Sequence, residues 1–540
     1  MTELIAPSKS LGYTDLYLDF LAGRRAARHL YASSDIDDTA ARLDEITYDR
    51  ERLVKILERQ NRSFGASQAT MANITRLRDN RALCVFTGQQ ACLFGGPLLI
   101  LIKALAIVKT ADIYSRRLGR PVVPIFWIDA DDHDFEEANH TFVPDRTGEL
   151  VRVAYATSPL SPLPLSEITL SDNAELNQAK TTLMTALGES DFTGQLRELI
   201  DHCYTPGGNM VTAFASLMAK LTERFGLVLF SPGNAEIKQI AAPFLTEILT
   251  RQDELRRVTT DTNRHIEKHG YHLQVHKKDD LTHLFLNLEG RQPVVRQGED
   301  YLVGNRRFTH RQLPAQIEQH PEKFSPDVLL RPVMQSYLFP VVAQLGGPSE
   351  IAYLAQTSPL FALFDLVAPY NVGRPSLTFV EKRFEKIMAE YSISFDELPG
   401  DVEQIVNRVL TATFPDDLES RFGRLRDDVR GSFDRFLDAS LAFEPNLRQF
   451  GGQTQGKIDY TLKQFENKVF AAHKKKSKQT LDRIYRLWSA LYPDRGLQER
   501  TLNVTCFLSR YGLNFLSFMY DSIDCEQTAH QVVGLSEYPT

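Results

Sequence analysis

The sequence has few cysteines, no long uncharged apolar run and no excess of positive charge. Its five cysteines, Cys84, Cys92, Cys203, Cys506 and Cys525, are odd in number, scattered and never spaced as CxxC. That argues against a zinc ribbon and for a reducing compartment. A formal net charge of −7 supplies no global field toward nucleic acid or an anionic membrane. The opening MTELIAPSKS lacks a basic segment followed by an apolar one, so no signal peptide is expected. The most apolar helical stretch carries Lys103 and Lys109 and is too short and charged to span a bilayer. These absences predict a cytoplasmic protein with neither a nucleic-acid nor a membrane partner. At 540 residues the chain exceeds what one core holds, and three or four structural units are expected.

What is present is concentrated between Ala82 and His140. Leu83 to Phe86 is a short apolar run without polar alternation, which suits a strand covered on both faces. Gly88, Gln89, Gln90 and the pair Gly95-Gly96 follow, and Pro97 stands where a first helical turn tolerates it. A helix is expected from Leu98 to about Tyr114, and Val122 to Trp127 reads as a second buried strand. Together they make a βαβ unit whose glycine loop is expected to present free backbone N–H groups to an anion. The second strand discharges into Asp129, Asp131, Asp132, His133, Asp134, Glu136 and Glu137. Open parallel sheets bind ligands off the carboxyl ends of their strands, so both polar loops are assigned to the active site.

The remainder divides by texture. Residues 1–80 read as N-terminal helices packed on the core, with apolar residues three or four apart in Tyr17–Leu30 and Ala40–Leu57. Residues 81–140 are the first half of the core. Residues 141–225 read as a mainly helical connecting insertion: the proline-punctuated SPLSPLPLSE, then helices over Asn173–Leu187 and Leu196–Leu221. Residues 226–260 return a core strand, GLVLFS, and a helix, while 261–326 alternate between turn signals as a small antiparallel β insertion. Residues 327–380 form the second half of the core and repeat the first loop's chemistry: a strand, Gly346-Gly347-Pro348, and a helix opened by Ser349 and Glu350. Within 381–491, Leu418, Phe422, Leu425, Val429, Phe433 and Leu437 recur at helical spacing, as do Ile458, Leu462, Phe465 and Val469. A turn near Pro445–Gly452 makes them an antiparallel helical hairpin. Residues 492–540 are apolar enough to dock on the core.

Four segments carry a resemblance: TGQQACLFGGPL (Thr87–Leu98), FWIDADDHDFEEANH (Phe126–His140), SPDVLLRPVMQSYLFPVVAQLGGPSEIAYLA (Ser325–Ala355) and ERTLNVTCFLSRYGLNF (Glu499–Phe515). Together they resemble the bacillithiol biosynthesis cysteine-adding enzyme family, BshC, across nearly the whole chain. The match departs from the family pattern at Ala91-Cys92, which stand for Pro-Gly, and at Asp131, which stands for a usual glutamate. The resemblance implies an α/β fold with a Rossmann-like, doubly wound parallel core and connecting-peptide insertions. It also implies an antiparallel α-helical coiled-coil arm used for homodimerisation. The implied activity is that of a cysteine ligase in the last step of synthesis of a bacterial low-molecular-weight thiol. L-cysteine is added to the glucosamine amine of glucosaminyl malate, so the small-molecule partners are cysteine, glucosaminyl malate and a nucleotide.

Amide formation from a free carboxylate needs an activated acyl group, so ATP with Mg²⁺ is the expected cofactor, and no residue is assigned to a resident metal. Thr87, Gly88, Phe94, Gly95, Gly96, Lys103, Gly346 and Gly347 are the candidate cofactor-binding residues. Lys103 either reaches back to an anion or solvates a helix face. Asp132, His133 and Asp134 are the candidate catalytic group, because a histidine between carboxylates can act as a general base with its tautomer fixed by one of them. The same oxygens suit Mg²⁺, and an N-cap and turn network is the structural alternative. Gln89, Gln90, Trp127, Asp131, Arg331, Gln335, Glu350 and Tyr353 are the candidate substrate-binding residues. Arg331 would clamp the malyl carboxylates bidentately unless an aspartate claims it, and Glu350 would accept from an ammonium. Cys92 is set aside as a nucleophile, with no histidine at a telling distance. Two other classes compete: a metal-dependent hydrolase using Asp131–Asp134, and a non-catalytic assembly protein working through the hairpin.

Overall fold

Five short apolar segments assemble into one parallel sheet: β1 (Leu83–Gln89), β2 (Val122–Ile128), β3 (Val228–Phe230), β4 (Val341–Gly346) and β5 (Tyr370–Gly373). Their spatial order is β5-β4-β1-β2-β3. The computed structural model describes residues 2–156, 159, 161–413, 416–536 and 538. Every residue of β2 and β4 is buried, as apolar runs without alternation require. Helix α1 (Leu99–Leu118) joins β1 to β2, and α2 (Pro348–Thr357) follows β4. The chain runs outward from β1 to β3 and then returns to the other side of β1 for β4 and β5. The carboxyl ends of β1 and β4 thus flank a topological switch point, where doubly wound sheets bind ligands.

Outside the core sheet the structure departs from the sequence reading in places. The helix expected over Leu196–Leu221 is two helices, Thr193–Cys203 and Met210–Leu221, divided at Thr205-Pro206-Gly207-Gly208. Asn209 caps the second, its side chain accepting from the N–H groups of Val211 and Thr212. Of the connector SPLSPLPLSE, Ser158 and Leu160 lie outside the described residues. The β insertion is an antiparallel sheet ordered Arg306–Phe308, Asp300–Val303, Arg291–Gln297, Leu281–Asn287, Phe324–Pro326. It is the small antiparallel insertion expected, with its last strand returning beside its first. In the N-terminal region the stretches expected as helical over Tyr17–Leu30 and Ala40–Leu57 are each interrupted, giving helices Asp15–Leu21, Arg25–Arg28, Ile36–Leu43 and Arg50–Ser63. The region opens on Thr2–Ile5, a strand too short to show periodicity. It pairs antiparallel with His530–Gly534, which pairs parallel with Ser376–Val380.

The C-terminal segment is locked to that small sheet. The Gln498 side chain accepts from the Phe379 N–H at 2.9 Å and donates to the Phe379 carbonyl at 3.0 Å, occupying a ladder position. Fully buried Glu499 accepts from the Leu377 N–H and the Ser376 hydroxyl, each at 2.9 Å, and pairs with Arg374 at 2.7 Å. Residues 492–540 thereby join residues 1–380 in one unit, and Glu381–Leu491 forms the other.

In the second unit two long helices, Asp416–Phe443 and Arg448–Lys476, form the hairpin. Their turn is Pro445–Leu447 rather than the whole stretch to Gly452, and Gly451 lies inside the second helix. A Cβ on Gly451 would come within 2.3 Å of Leu437 Cδ1, so the missing side chain lets the helices approach. Phe422 and Phe465 meet across the seam with ring centroids 5.8 Å apart. Among the described residues of the pair Gly451 alone is buried. No helix among the described residues is long and apolar enough to cross a membrane.

Arg374→Met leaves the Glu499 carboxylate buried without its cation, which should cost about 3–5 kcal/mol in urea unfolding at pH 7. Burial alone would raise the Glu499 carboxyl, but Arg374 and the other donors hold it below its ordinary value. Its contribution is therefore present above the unfolded-state value and is lost as pH falls through the lower folded-state value. The variant should show a weaker loss of stability toward acid than the parent, and identical acid curves would refute the pairing's role.

Candidate functional site

A cavity of about 600 Å³ opens at the switch point, off the carboxyl ends of β1 and β4. Of the residues named from sequence, Gly88, Gln89, Gln90, Lys103, Trp127, Asp131, Asp132, Arg331, Gln335, Gly347, Glu350 and Tyr353 line it. His133, Asp134, Thr87, Phe94, Gly95, Gly96 and Gly346 do not.

Lys103 neither solvates a helix face nor awaits an anion. Its ammonium is buried and donates to the Gly88 carbonyl at 2.6 Å, Gln89 Oε1 at 3.1 Å and Glu350 Oε1 at 2.6 Å. Burial pulls its pKa down against the opposing pull of Glu350. Glu350 is engaged through both oxygens: the other accepts the Gly347 N–H at 2.7 Å, so the Glu350 side chain caps the start of α2.

The glycine loop does not offer the expected phosphate cradle. The Gly95 N–H bonds to the Cys92 carbonyl, Gly96 N–H to Leu93 and Leu98 N–H to Leu502. Asn503 Nδ2 ties the loop from the other side, donating to the Phe94 carbonyl at 2.9 Å and the Gly96 carbonyl at 2.6 Å. Gly96 is required because a Cβ there would lie 2.6 Å from Cys92 Cβ and 2.7 Å from Ile100 Cδ1. Thr87 is turned to the Leu345 carbonyl at 3.0 Å, and the N–H of Gly347 is the one taken by Glu350. The residues assigned to ATP phosphates therefore do not fit that role. Position 92, where the family pattern has glycine, is extended (φ −80°, ψ 147°), so cysteine is accommodated without strain. Burial pushes the Cys92 thiol up to about 12, which suits packing rather than nucleophilic attack.

The acidic loop after β2 is also largely paired. Asp131 binds Lys238 at 2.6 Å, and that buried lysine also reaches the Phe324 carbonyl. Asp132 accepts from Gln90 Nε2 at 2.5 Å and from the His133 N–H at 2.7 Å. Asp134 caps the short helix Phe135–Ala138 by accepting the Glu137 N–H, which is the structural alternative realised. Asp132 Oδ1 stands 3.7 Å from His133 Nδ1, too far for a hydrogen bond to fix the ring. Arg291 Nη1 lies 3.1 Å from His133 Nδ1, and a guanidinium can only donate, so the neutral ring carries its proton on Nε2. His133 thus presents a donor, and the expected general base is not formed there. Among the described residues no group of three or more His, Cys, Asp or Glu side chains is arranged to hold a metal ion. Arg331 is ion-paired with Asp129 and so is not the open clamp expected for a dicarboxylate.

Residues 2–375 match the family description "Bacillithiol biosynthesis BshC, N-terminal Rossmann-like domain", and residues 377–535 match "Bacillithiol biosynthesis BshC, C-terminal coiled-coil domain". The chain belongs to the BshC family. It is 31% identical to the "Putative cysteine ligase BshC" of Koribacter versatilis, over 94% of this chain and 95% of that protein. The proteins of the same name from Salinibacter ruber and Geobacillus kaustophilus are 29% and 28% identical over 98% and 93% of this chain, covering 98% and 94% of their own. The region matched by the BshC coiled-coil description spans both units, because its last part carries Gln498 and Glu499 into the first.

Several cavity residues of this BshC chain escape sequence reasoning. Arg291 and Lys277 come from the β insertion, and Asp327 holds Lys277 at 3.1 Å and buried His283 at 2.8 Å. Arg374 and Arg500 come from the second core half and the C-terminal segment. Arg500 has no ion-pair partner among the described residues. No local pattern marks these residues; only ERTLN, within a family segment, pointed toward Arg500.

Burial and then Arg291 hold the His133 pKa below its ordinary value. Histidine NMR at pH 7 should therefore show a neutral Nε2–H ring. Arg291→Gln should move the midpoint upward, since removing a neighbouring cation favours imidazolium. A midpoint unchanged by the variant would contradict this arrangement.

Proposed function

We propose that this protein joins L-cysteine to the glucosamine amine of glucosaminyl malate, the amide-forming last step of bacillithiol synthesis, in the cytoplasm. The observation that carries the reading is one switch-point cavity, lined from all four family segments, where carboxylates and an unpaired guanidinium meet. Asp132 and Glu137 suit the ammonium of the amino sugar and receive its proton as the C–N bond forms. Arg500, rather than the paired Arg331, suits the malyl carboxylates. ATP with Mg²⁺ is the proposed source of acyl activation, although neither glycine loop is built to hold its phosphates.

Purified protein given L-cysteine, glucosaminyl malate and ATP·Mg²⁺ should form the amide, detected by mass spectrometry. Deleting the gene in its host should abolish bacillithiol and accumulate glucosaminyl malate; normal bacillithiol there would sink the assignment. Arg500→Met should raise KM for glucosaminyl malate by about tenfold or more with kcat little changed, the loss expected of one charge-assisted hydrogen bond.

The hairpin is proposed as the surface of a two-fold homodimer. Phe436, Phe443 and Phe450 are 71%, 91% and 67% exposed. Each would gain roughly 1.5–3 kcal/mol on full burial. Phe436→Asp with Phe450→Asp leaves the Phe422–Phe465 seam untouched and should give a folded monomer in sedimentation velocity. A parent protein that is already monomeric at micromolar concentration would refute the dimer.

A further inference from the structure

Arg291 lines the cavity, and its guanidinium is held by neutral groups alone. Nε donates to the Ser325 hydroxyl at 3.0 Å, Nη2 to the Pro326 carbonyl at 3.2 Å and Nη1 to His133 Nδ1 at 3.1 Å. The guanidinium carbon lies 3.7 Å from the centroid of the Phe285 ring, so one face of the cation is stacked on that ring. Among the described residues no carboxylate lies within ion-pair distance of it. Asp131, Asp132 and Asp327 act on it from farther off, and each is engaged elsewhere. Lys238 holds Asp131, Lys277 and His283 hold Asp327, and Gln90 with two backbone N–H groups holds Asp132. A guanidinium carries five N–H donors. Three are used here, which leaves one on Nη1 and one on Nη2, the number that the two oxygens of one carboxylate accept. A cation partly withdrawn from water and answered by no anion is costly to keep. In a cavity wall, such a charge is a receptor for an anionic ligand group.

We infer that Arg291 receives the α-carboxylate of the cysteine substrate. The inference rests on the ligase reading above and adds the residue that holds the second substrate. Position decides among the anions of the reaction. His133 is shared between two groups: its backbone N–H donates to Asp132 Oδ1 at 2.7 Å while its ring accepts from Arg291. Asp132, assigned to the ammonium of the amino sugar, therefore stands across one residue from the guanidinium. Amine nitrogen and acyl carbon must come into bonding contact, so the group held beside that ammonium is the carboxyl that becomes the amide. A nucleoside triphosphate carries more charge than one guanidinium answers, and Lys277, from the same insertion, is taken by Asp327. The malyl carboxylates are left to Arg500, which enters the cavity from the C-terminal segment. Arg331 would have to give up Asp129 before taking a carboxylate, whereas Arg291 has no such partner to lose.

Cysteamine is cysteine without the carboxylate, and L-cysteine methyl ester masks it as a neutral group. Full-length protein is brought to equilibrium dialysis with each of the three compounds under reducing conditions, with and without saturating glucosaminyl malate. L-cysteine should bind about tenfold or more tightly than either analogue, the factor of a charge-assisted contact. Arg291→Gln should bring the three to near-equal affinity by weakening L-cysteine alone, and Arg291→Lys, which keeps the charge, should retain part of the preference. In steady state Arg291→Gln should raise KM for cysteine by about tenfold and leave KM for glucosaminyl malate nearly unchanged. A parent protein without a preference for L-cysteine, or a preference that survives Arg291→Gln in full, overturns the inference. So does a rise in KM for glucosaminyl malate alone, which moves the malyl carboxylates to Arg291 and leaves the ligase reading intact. Where Arg291→Gln fails to fold, the parent's ligand series and the lowered preference of Arg291→Lys decide. Carboxylate-dependent binding that is lost in Arg291→Gln, with no amide formed by the parent, upholds the site and removes the ligase reading.

Discussion

The Lys103 ammonium sits between the end of β1 and the start of α2, with its three protons directed to the Gly88 carbonyl, the Gln89 amide and Glu350. An ammonium taken out of water costs several kcal/mol unless its donors are matched, and here every donor is matched by a group from one of the two core halves. The crevice at the switch point is held at a set width by this one cation. Glu350 passes the constraint on by capping α2, which ties down the second glycine loop as well as the first. Rearranging either loop would strand a buried charge.

The same logic governs the rest of the cavity. Asp131 answers Lys238, Asp129 answers Arg331, Asp327 answers Lys277 and His283, and Glu499 answers Arg374. Burial of one partner without the other is what makes such pairs strict. Most of the cavity's charges are thus answered internally. Arg500 is an exception, making no ion pair among the described residues.

The strand–loop–helix order, the second glycine loop, the β insertion and the helical hairpin were legible because each is written in local periodicity and turn chemistry. The cavity's position followed from the polar loops that leave the carboxyl ends of the buried strands. What local pattern could not show was partnership. Arg291 meets His133 across 158 residues and Lys238 meets Asp131 across 107, and nothing near either residue announces it. The glycine loop misled for the same reason. Its composition matches a phosphate cradle, but its carbonyls are tied by Asn503, more than four hundred residues on. Gly451 misled in the opposite direction: read as part of a turn, it serves close helix approach at Leu437.

Among the described residues the strand Thr2–Ile5 pairs with His530–Gly534 alone, which also completes the sheet begun by Ser376–Val380. During synthesis the first strand emerges long before its partner exists, and contacts of such sequence separation close slowly. The parallel core can gather before this small sheet does. The first strand must therefore wait with its edge open until about five hundred further residues have been made, an interval in which such an edge is liable to pair wrongly. Closure of the small sheet is thus timed by the strand His530–Gly534 rather than by the first strand itself.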